Sequence, residues 1–205
     1  MRALILITVM ALIFYFFIMK TEPAGTTKTG IALLPDTVSS IESSFNNAVS
    51  SISTATNKIV ADIQNIATQN NIDPAILYGI VTAEQGTTNP TEWNTQAYNP
   101  NDPGGGAYGL TQILGTTAQS LGVNPAILQQ SASAALETTV KYINTYSPNP
   151  NDLNVTAAIY NGGPSILNNI ANGTASGSTQ QMINSYVNKA QNGYDYYNQV
   201  YGGGQ

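Results

Sequence analysis

The sequence predicts an all-α protein, and three features carry that expectation. Apolar residues recur at intervals of three and four through its periodic segments. Start and stop signals bracket those segments, with Pro-Asp or Asp-Pro at openings and Gly or Asn-Gly at ends. No stretch shows a convincing strand alternation, and no internal repeat is visible.

The first element is an apolar run. Residues 3–19 (ALILITVMALIFYFFIM) carry no charge, and Arg2 and Lys20 bracket them. As a helix the run would span roughly 26 Å, at the short end of what crosses a bilayer. A cleaved signal peptide is the alternative, but its apolar core is usually about 7–15 residues and ends in small residues. Here Tyr15, Phe16, Phe17 and Ile18 close the run. The expectation is therefore a membrane anchor over residues 1–20, with the N-terminus inside and the remaining chain exported. Residues 21–35, with Pro23, Gly25, Gly30 and several Thr, read as a flexible tether.

Pro35-Asp36-Thr37 then opens an amphipathic helix over residues 36–57. Val38, Ile41, Phe45, Ala48, Ile52, Ala55 and Ile59 follow a heptad seam. Either the seam packs on the chain's own domain, or residues 38–59 self-associate as a short stalk. The Ser-, Asn- and Thr-rich outer face lacks the charged pairs of most coiled coils.

Residues 58–201 read as one helical domain. Residues 62–70 look like a further helical stretch ending at Asn70-Asn71. Asp73-Pro74 starts the next helix, with Pro in its first turn, and Gly86 stops it. Residues 87–106 form a long loop rich in Asn, Pro, Gly and Thr, with Trp93 and Tyr98 inside it. A loop of that length in a compact domain usually has a function. Short helices are expected near residues 116–121 and 125–130, then helices at 132–146, 153–160, 165–171 and 180–201. Residues 202–205 read as a disordered tail.

Composition narrows the chemistry. Among 205 residues there is no Cys and no His. Thiolate and imidazole metal sites, Cys nucleophiles and His-based triads are excluded, and no metal or cofactor is expected. Six Lys and Arg against eleven Asp and Glu leave a net charge of −5. That is too few cations for a basic face, so no nucleic-acid partner is expected. Only 8% of residues are charged, against about 25% in an average soluble protein. Asn, Gln, Ser and Thr fill the gap, which suits neutral polar ligands.

Glu84 is the acid to examine. Helical spacing back from it gives Val81, Ile80 and Leu77, so the carboxylate emerges from an apolar stripe. It also lies in the last turn, where the helix carries partial negative charge. Burial and that dipole both favour the protonated form. A carboxylic acid kept protonated near neutral pH is what a glycosidic general acid requires. The bland alternative is a surface Glu at a frayed helix end.

Two later segments add to this. Tyr108-Gly109-Leu110-Thr111-Gln112 follows a glycine-rich loop, and Ala158-Ile159-Tyr160-Asn161-Gly162-Gly163 ends a helix. A helix-terminal Glu, a Gly-Leu-x-Gln segment and an Ala-x-Tyr-Asn-x-Gly segment, in that order, resemble the soluble lytic transglycosylases. These are peptidoglycan-cleaving enzymes related in fold to goose-type lysozyme. The resemblance covers roughly residues 58–201, with Asn71-Ile72-Asp73-Pro74 before the catalytic helix and Tyr186-Val187 in the last one. It implies a lysozyme-like helical fold with peptidoglycan glycan strands as partner. Glu84 would be catalytic acid and base. Gln112 would hydrogen-bond a sugar, Tyr160 would hold the Glu84 carboxyl or a substrate acetamido group, and Asn161 would contact substrate. Gly109 would permit close backbone approach. Tyr108 would stack on a sugar or join the core, and Trp93 would line the groove or pack locally. Two positions depart from the family pattern. Gln85 stands where Ser is common, and Thr111 where Met is common.

The resemblance further implies that Glu84 protonates the bond between MurNAc and GlcNAc, leaving a 1,6-anhydro end. Two rivals stand beside that reading. One is a goose-lysozyme-like hydrolase using Glu92 or Asp102 as base for water; the other is a non-catalytic glycan-binding membrane protein that keeps the fold. An extracytoplasmic domain anchored in a bacterial envelope and a phage virion protein in a membrane both suit the layout.

Overall fold

The computed structural model describes residues 34–202. The predicted anchor, most of the tether and residues 203–205 lie outside them. Among the described residues no helix is long and apolar enough to cross a membrane. The chain divides into two units, Met1–Ala48 and Val49–Gln205.

Helix α1 runs unbroken over Leu34–Gln69. Two helical stretches were expected here, and the boundary drawn between residues 57 and 58 falls inside the single helix. No Gly or Pro interrupts residues 36–69, and Lys58 pairs with Asp62 one turn on at 2.7 Å. In the first unit, side chains 40–48 are all exposed, Ile41 and Phe45 included. In the second, burial begins at Val60 and continues through Ile63, Ile66 and Ala67.

Helix α2, Pro74–Gln85, is the centre of the second unit. Its cap matches the sequence signals. The Asp73 carboxylate accepts the Ala75 N–H at 2.9 Å, Pro74 takes the first turn, and Gly86 ends the helix at φ 71°. Every side chain from Ala75 to Ala83 is buried, so this helix is apolar on all faces. The two ends reach the surface, Pro74 at the start and Glu84 and Gln85 in the last turn.

Helix α8, Gly177–Val200, packs along α2 through Tyr186, Ala190, Gly193 and Tyr197, again spaced by threes and fours, while its Ile183 joins a second apolar cluster with Ile159 and Ile166. The contact is close because its residues are small. A Cβ on Gly79 would sit 2.6 Å from the Ala190 carbonyl oxygen, and one on Gly193 would strike Thr82. Backbones touch there, and larger side chains would force the helices apart.

The all-α expectation needs one correction. Three two-residue strands, β1 Tyr98–Asn99, β2 Ala107–Tyr108 and β3 Ile113–Leu114, form an antiparallel sheet in the order β1-β2-β3. Tyr98 pairs with Tyr108, and Tyr108 with Ile113. Strands this short contain no alternation to read. The remaining helices are α3 Gly115–Ser120, α4 Ala126–Gln130, α5 Ala132–Tyr146, α6 Leu153–Gly162 and α7 Ile166–Ala171. The domain is mostly helical, with this small sheet against α3 and α4.

Candidate active site

Glu84 is partly buried at the C-terminal end of α2. The Tyr186 hydroxyl, carried by α8, donates to its Oε1 at 2.7 Å. Burial is the main force on the carboxyl, raising its pKa from 4.5 to about 7. The Tyr186 hydrogen bond and the Lys189 ammonium pull it down, while the nearby negative charge of Asp102 pushes it up. Glu84 is thus poised to carry a proton near neutral pH and to release it. Burial and the Glu84 charge in turn hold the phenols of Tyr186 and Tyr160 well above their ordinary range.

Tyr160 is expected to hold either the Glu84 carboxyl or a substrate acetamido group, and the first of these bonds is not made. Its hydroxyl donates to the Thr111 carbonyl at 2.8 Å and lies 3.3 Å from Thr139 Oγ1. The phenol that holds the acid comes from Tyr186. The resemblance draws attention to Tyr186-Val187 in the last helix, but nothing local in the sequence ties Tyr186 to Glu84.

Gln112, Tyr160 and Asn161 come together, lining one cavity of about 220 Å³ with Tyr142, Tyr146 and Ser120. None of its lining residues carries a charge. Glu84 itself is not part of the lining, and Tyr160 links the two, its ring on the cavity and its hydroxyl within the field of the acid. Gln112 sits at φ 48°, and its Nε2 donates to the Gly109 carbonyl at 2.8 Å. Asn161 Oδ1 is buried with no hydrogen-bond partner among the described residues. A buried acceptor of that kind invites an N–H donor from a ligand.

Trp93 and Tyr108 each have two expected placements, groove or packing, and Gly109 is expected to permit a close backbone approach. Trp93 is 7% exposed, packs against Tyr78 at 4.9 Å between ring centroids, and donates its indole N–H to the Thr87 carbonyl at 2.9 Å. It belongs to the core and is not brought to the cavity. Gly109, at φ 72°, does permit a close backbone approach, but to Leu128 in α4; a side chain there would collide with the Leu128 carbonyl. Tyr108 lies partly buried against Tyr98, with centroids 4.8 Å apart, on the small sheet.

Both departures from the family pattern have clear placements. Thr111 is fully buried, its hydroxyl 3.4 Å from the Ala135 carbonyl, so it does not border the groove. Gln85 hydrogen-bonds two backbone groups, the Leu110 carbonyl and the Asn94 N–H. Glu92, one candidate for a second acid, is bonded to Thr87 and Asn89 in its own loop. Asp102, the other, lies close enough for its charge to act on Glu84.

A family model described as Transglycosylase SLT domain matches residues 62–183. That span is more than half of the chain and holds Glu84, Gln112, Tyr160 and Asn161, while Tyr186 falls just beyond it. No curated protein and no solved structure matches the chain.

Proposed function

Because the chain belongs to the transglycosylase SLT domain family, we propose that it is a peptidoglycan lytic transglycosylase with Glu84 as acid and then base. The observation that carries this reading is the Glu84 carboxyl, largely shielded at the end of a buried helix, hydrogen-bonded by Tyr186 and raised to about 7. Glu84 donates its proton to the glycosidic oxygen between MurNAc and GlcNAc. The departing sugar leaves as an alcohol, and the MurNAc acetamido group assists at C1. The Glu84 carboxylate then removes the proton from the C6 hydroxyl, whose oxygen closes on C1 to give the 1,6-anhydro end.

Gln112 and Asn161 bind substrate from the neutral cavity beside the acid. Asn161 Oδ1 accepts an acetamido N–H, a need its unpartnered state supports. Tyr160 fixes the Thr111 carbonyl and so the turn that carries Gln112. The partly exposed ring of Tyr108 would offer a sugar a stacking surface. An apolar run at residues 3–19 would anchor the domain on the outer face of a bilayer or in a virion membrane, and the seam of residues 38–59 would pair two copies. Carbonate extraction of membranes and sedimentation in detergent test those two points.

Digestion of purified sacculi followed by mass spectrometry tests the activity. Anhydro-muropeptides from the native chain, and none from Glu84→Gln, are expected. Full activity of that variant would end the assignment. The nearness of Asp102 to Glu84 favours one second reading, hydrolysis with Asp102 as base for water. Muropeptides with reducing ends, lost in Asp102→Asn, would select it.

A further inference from the structure

The side chain next to the acid uses both ends of its amide. Gln85 Nε2 donates to the Leu110 carbonyl at 2.7 Å, and its Oε1 accepts the Asn94 N–H at 2.8 Å. The two partners belong to different stretches of backbone. Asn94 follows the single 3₁₀ turn Pro90–Glu92, and Leu110 lies in the turn that leads to Gln112. One residue of α2 therefore ties both to the end of the helix that carries Glu84.

The turn at residues 109–112 needs such restraint. Gln112 adopts φ 48°, a left-handed conformation that costs energy for a residue with a side chain. Successive carbonyls of the turn are each held by a side chain: Gly109 by Gln112 Nε2 at 2.8 Å, Leu110 by Gln85, and Thr111 by the Tyr160 hydroxyl at 2.8 Å. Two of these are internal to the turn or come from α6. Only the Gln85 bond connects it to the acid's own helix.

We propose that Gln85 is a positioning residue, a two-ended strap that sets where Gln112 stands relative to Glu84. This rests on the reading of Glu84 as the acid. Length matters to the strap. Asn would be shorter by one carbon, about 1.5 Å, and cannot reach both partners. Met fills the same volume and makes neither bond. Glu keeps the acceptor for Asn94 but can donate to Leu110 only when protonated.

The test compares full-length Gln85→Met, Gln85→Asn and Gln85→Glu with the native chain on soluble peptidoglycan glycan strands. A misplacement of about 1 Å costs up to roughly 100-fold in rate. The Met and Asn variants should lose 10- to 100-fold in kcat with KM changed less than threefold. The Glu variant should recover toward native turnover, relative to the native chain at each pH, as its carboxyl protonates. Two readouts do not depend on turnover: hydrogen exchange of the Asn94 amide, expected to quicken at least tenfold in Gln85→Met, and the Gln112 side-chain amide resonance, expected to shift. If neither amide signal changes, the strap is refuted whatever the activity. If the native chain is active and Gln85→Met keeps its kcat, the positioning role is refuted. Inactivity of the native chain counts against Glu84 as acid, and the amide signals alone then decide on the strap.

Discussion

Replacing Glu84 by Gln should make the protein more stable, and only above a defined pH. Gln is close in size to a protonated Glu and cannot ionise. Glu84 has a pKa near 7 in the folded chain against 4.5 ordinarily. The folded state thus holds this proton more tightly than the unfolded state does. Below about pH 4.5 both states are protonated, and the stabilising contribution is fully present. As pH rises toward 7 the unfolded chain ionises first, and the contribution drains away. Above 7 the folded chain must carry a shielded charge. The difference between the two values corresponds to about 3 kcal/mol at most, at about 1.4 kcal/mol for each tenfold change in proton affinity.

Urea denaturation at pH 4, 5.5, 7 and 8.5 would measure it. The single tryptophan, Trp93, is buried in the core and reports unfolding by fluorescence. Native and Glu84→Gln chains should coincide at pH 4 and separate progressively, the variant leading by 2 to 3 kcal/mol at pH 8.5, about the full linkage. The same ionisation should set the alkaline limb of kcat/KM near pH 7. Parallel stability curves, or a variant less stable at pH 8.5, would refute the claim that burial controls this proton.

The other predictions follow from neighbouring contacts. Tyr186→Phe removes the hydroxyl that favours the ionised carboxylate, so the alkaline limb should move upward and stability should fall by about 1 kcal/mol, the usual worth of one hydrogen bond. Gly193→Val places a branched side chain against Thr82 and should cost about 3 kcal/mol or more, read as a lower urea midpoint. Asn161→Ala removes a buried oxygen that bonds nothing among the described residues, so the urea midpoint should hold while KM for glycan strands rises at least tenfold. Trp93→Phe should lower stability by roughly 1 to 3 kcal/mol and leave KM unchanged, since the indole touches Tyr78 and the Thr87 carbonyl.

What could be read from the sequence was local. Asp73, Pro74 and Gly86 set both ends of α2, because caps act over three or four residues, and periodicity placed Glu84 at the edge of its buried stripe. Helix α5 was legible for the same reason, from its run of apolar positions. The grip of Tyr186 on Glu84 joins residues 102 positions apart and depends on how α8 lies on α2. No pattern within one segment encodes that distance. The sheet escaped notice because two-residue strands carry no period. Trp93 in a polar loop could have served a groove or the core, and the choice depended on Tyr78, which sits on another element.

The properties of the acid and the packing of the core follow from one contact. A helix buried on every face must end somewhere, and its last turn is where a carboxylate can be shielded yet reach solvent. Shielding alone would hold the Glu84 proton more tightly and make the carboxylate harder to form as a base. A donor must favour the carboxylate enough to bring the value back to about 7, and Tyr186 supplies that bond together with the charge of Lys189. Tyr186 reaches 2.7 Å from Glu84 because α8 lies against α2 through Gly79, Ala190 and Gly193. Side chains of ordinary size at those positions would push the helix outward by more than a hydrogen bond can stretch. The small residues half-way along the two helices are therefore part of what sets the acid strength at the end.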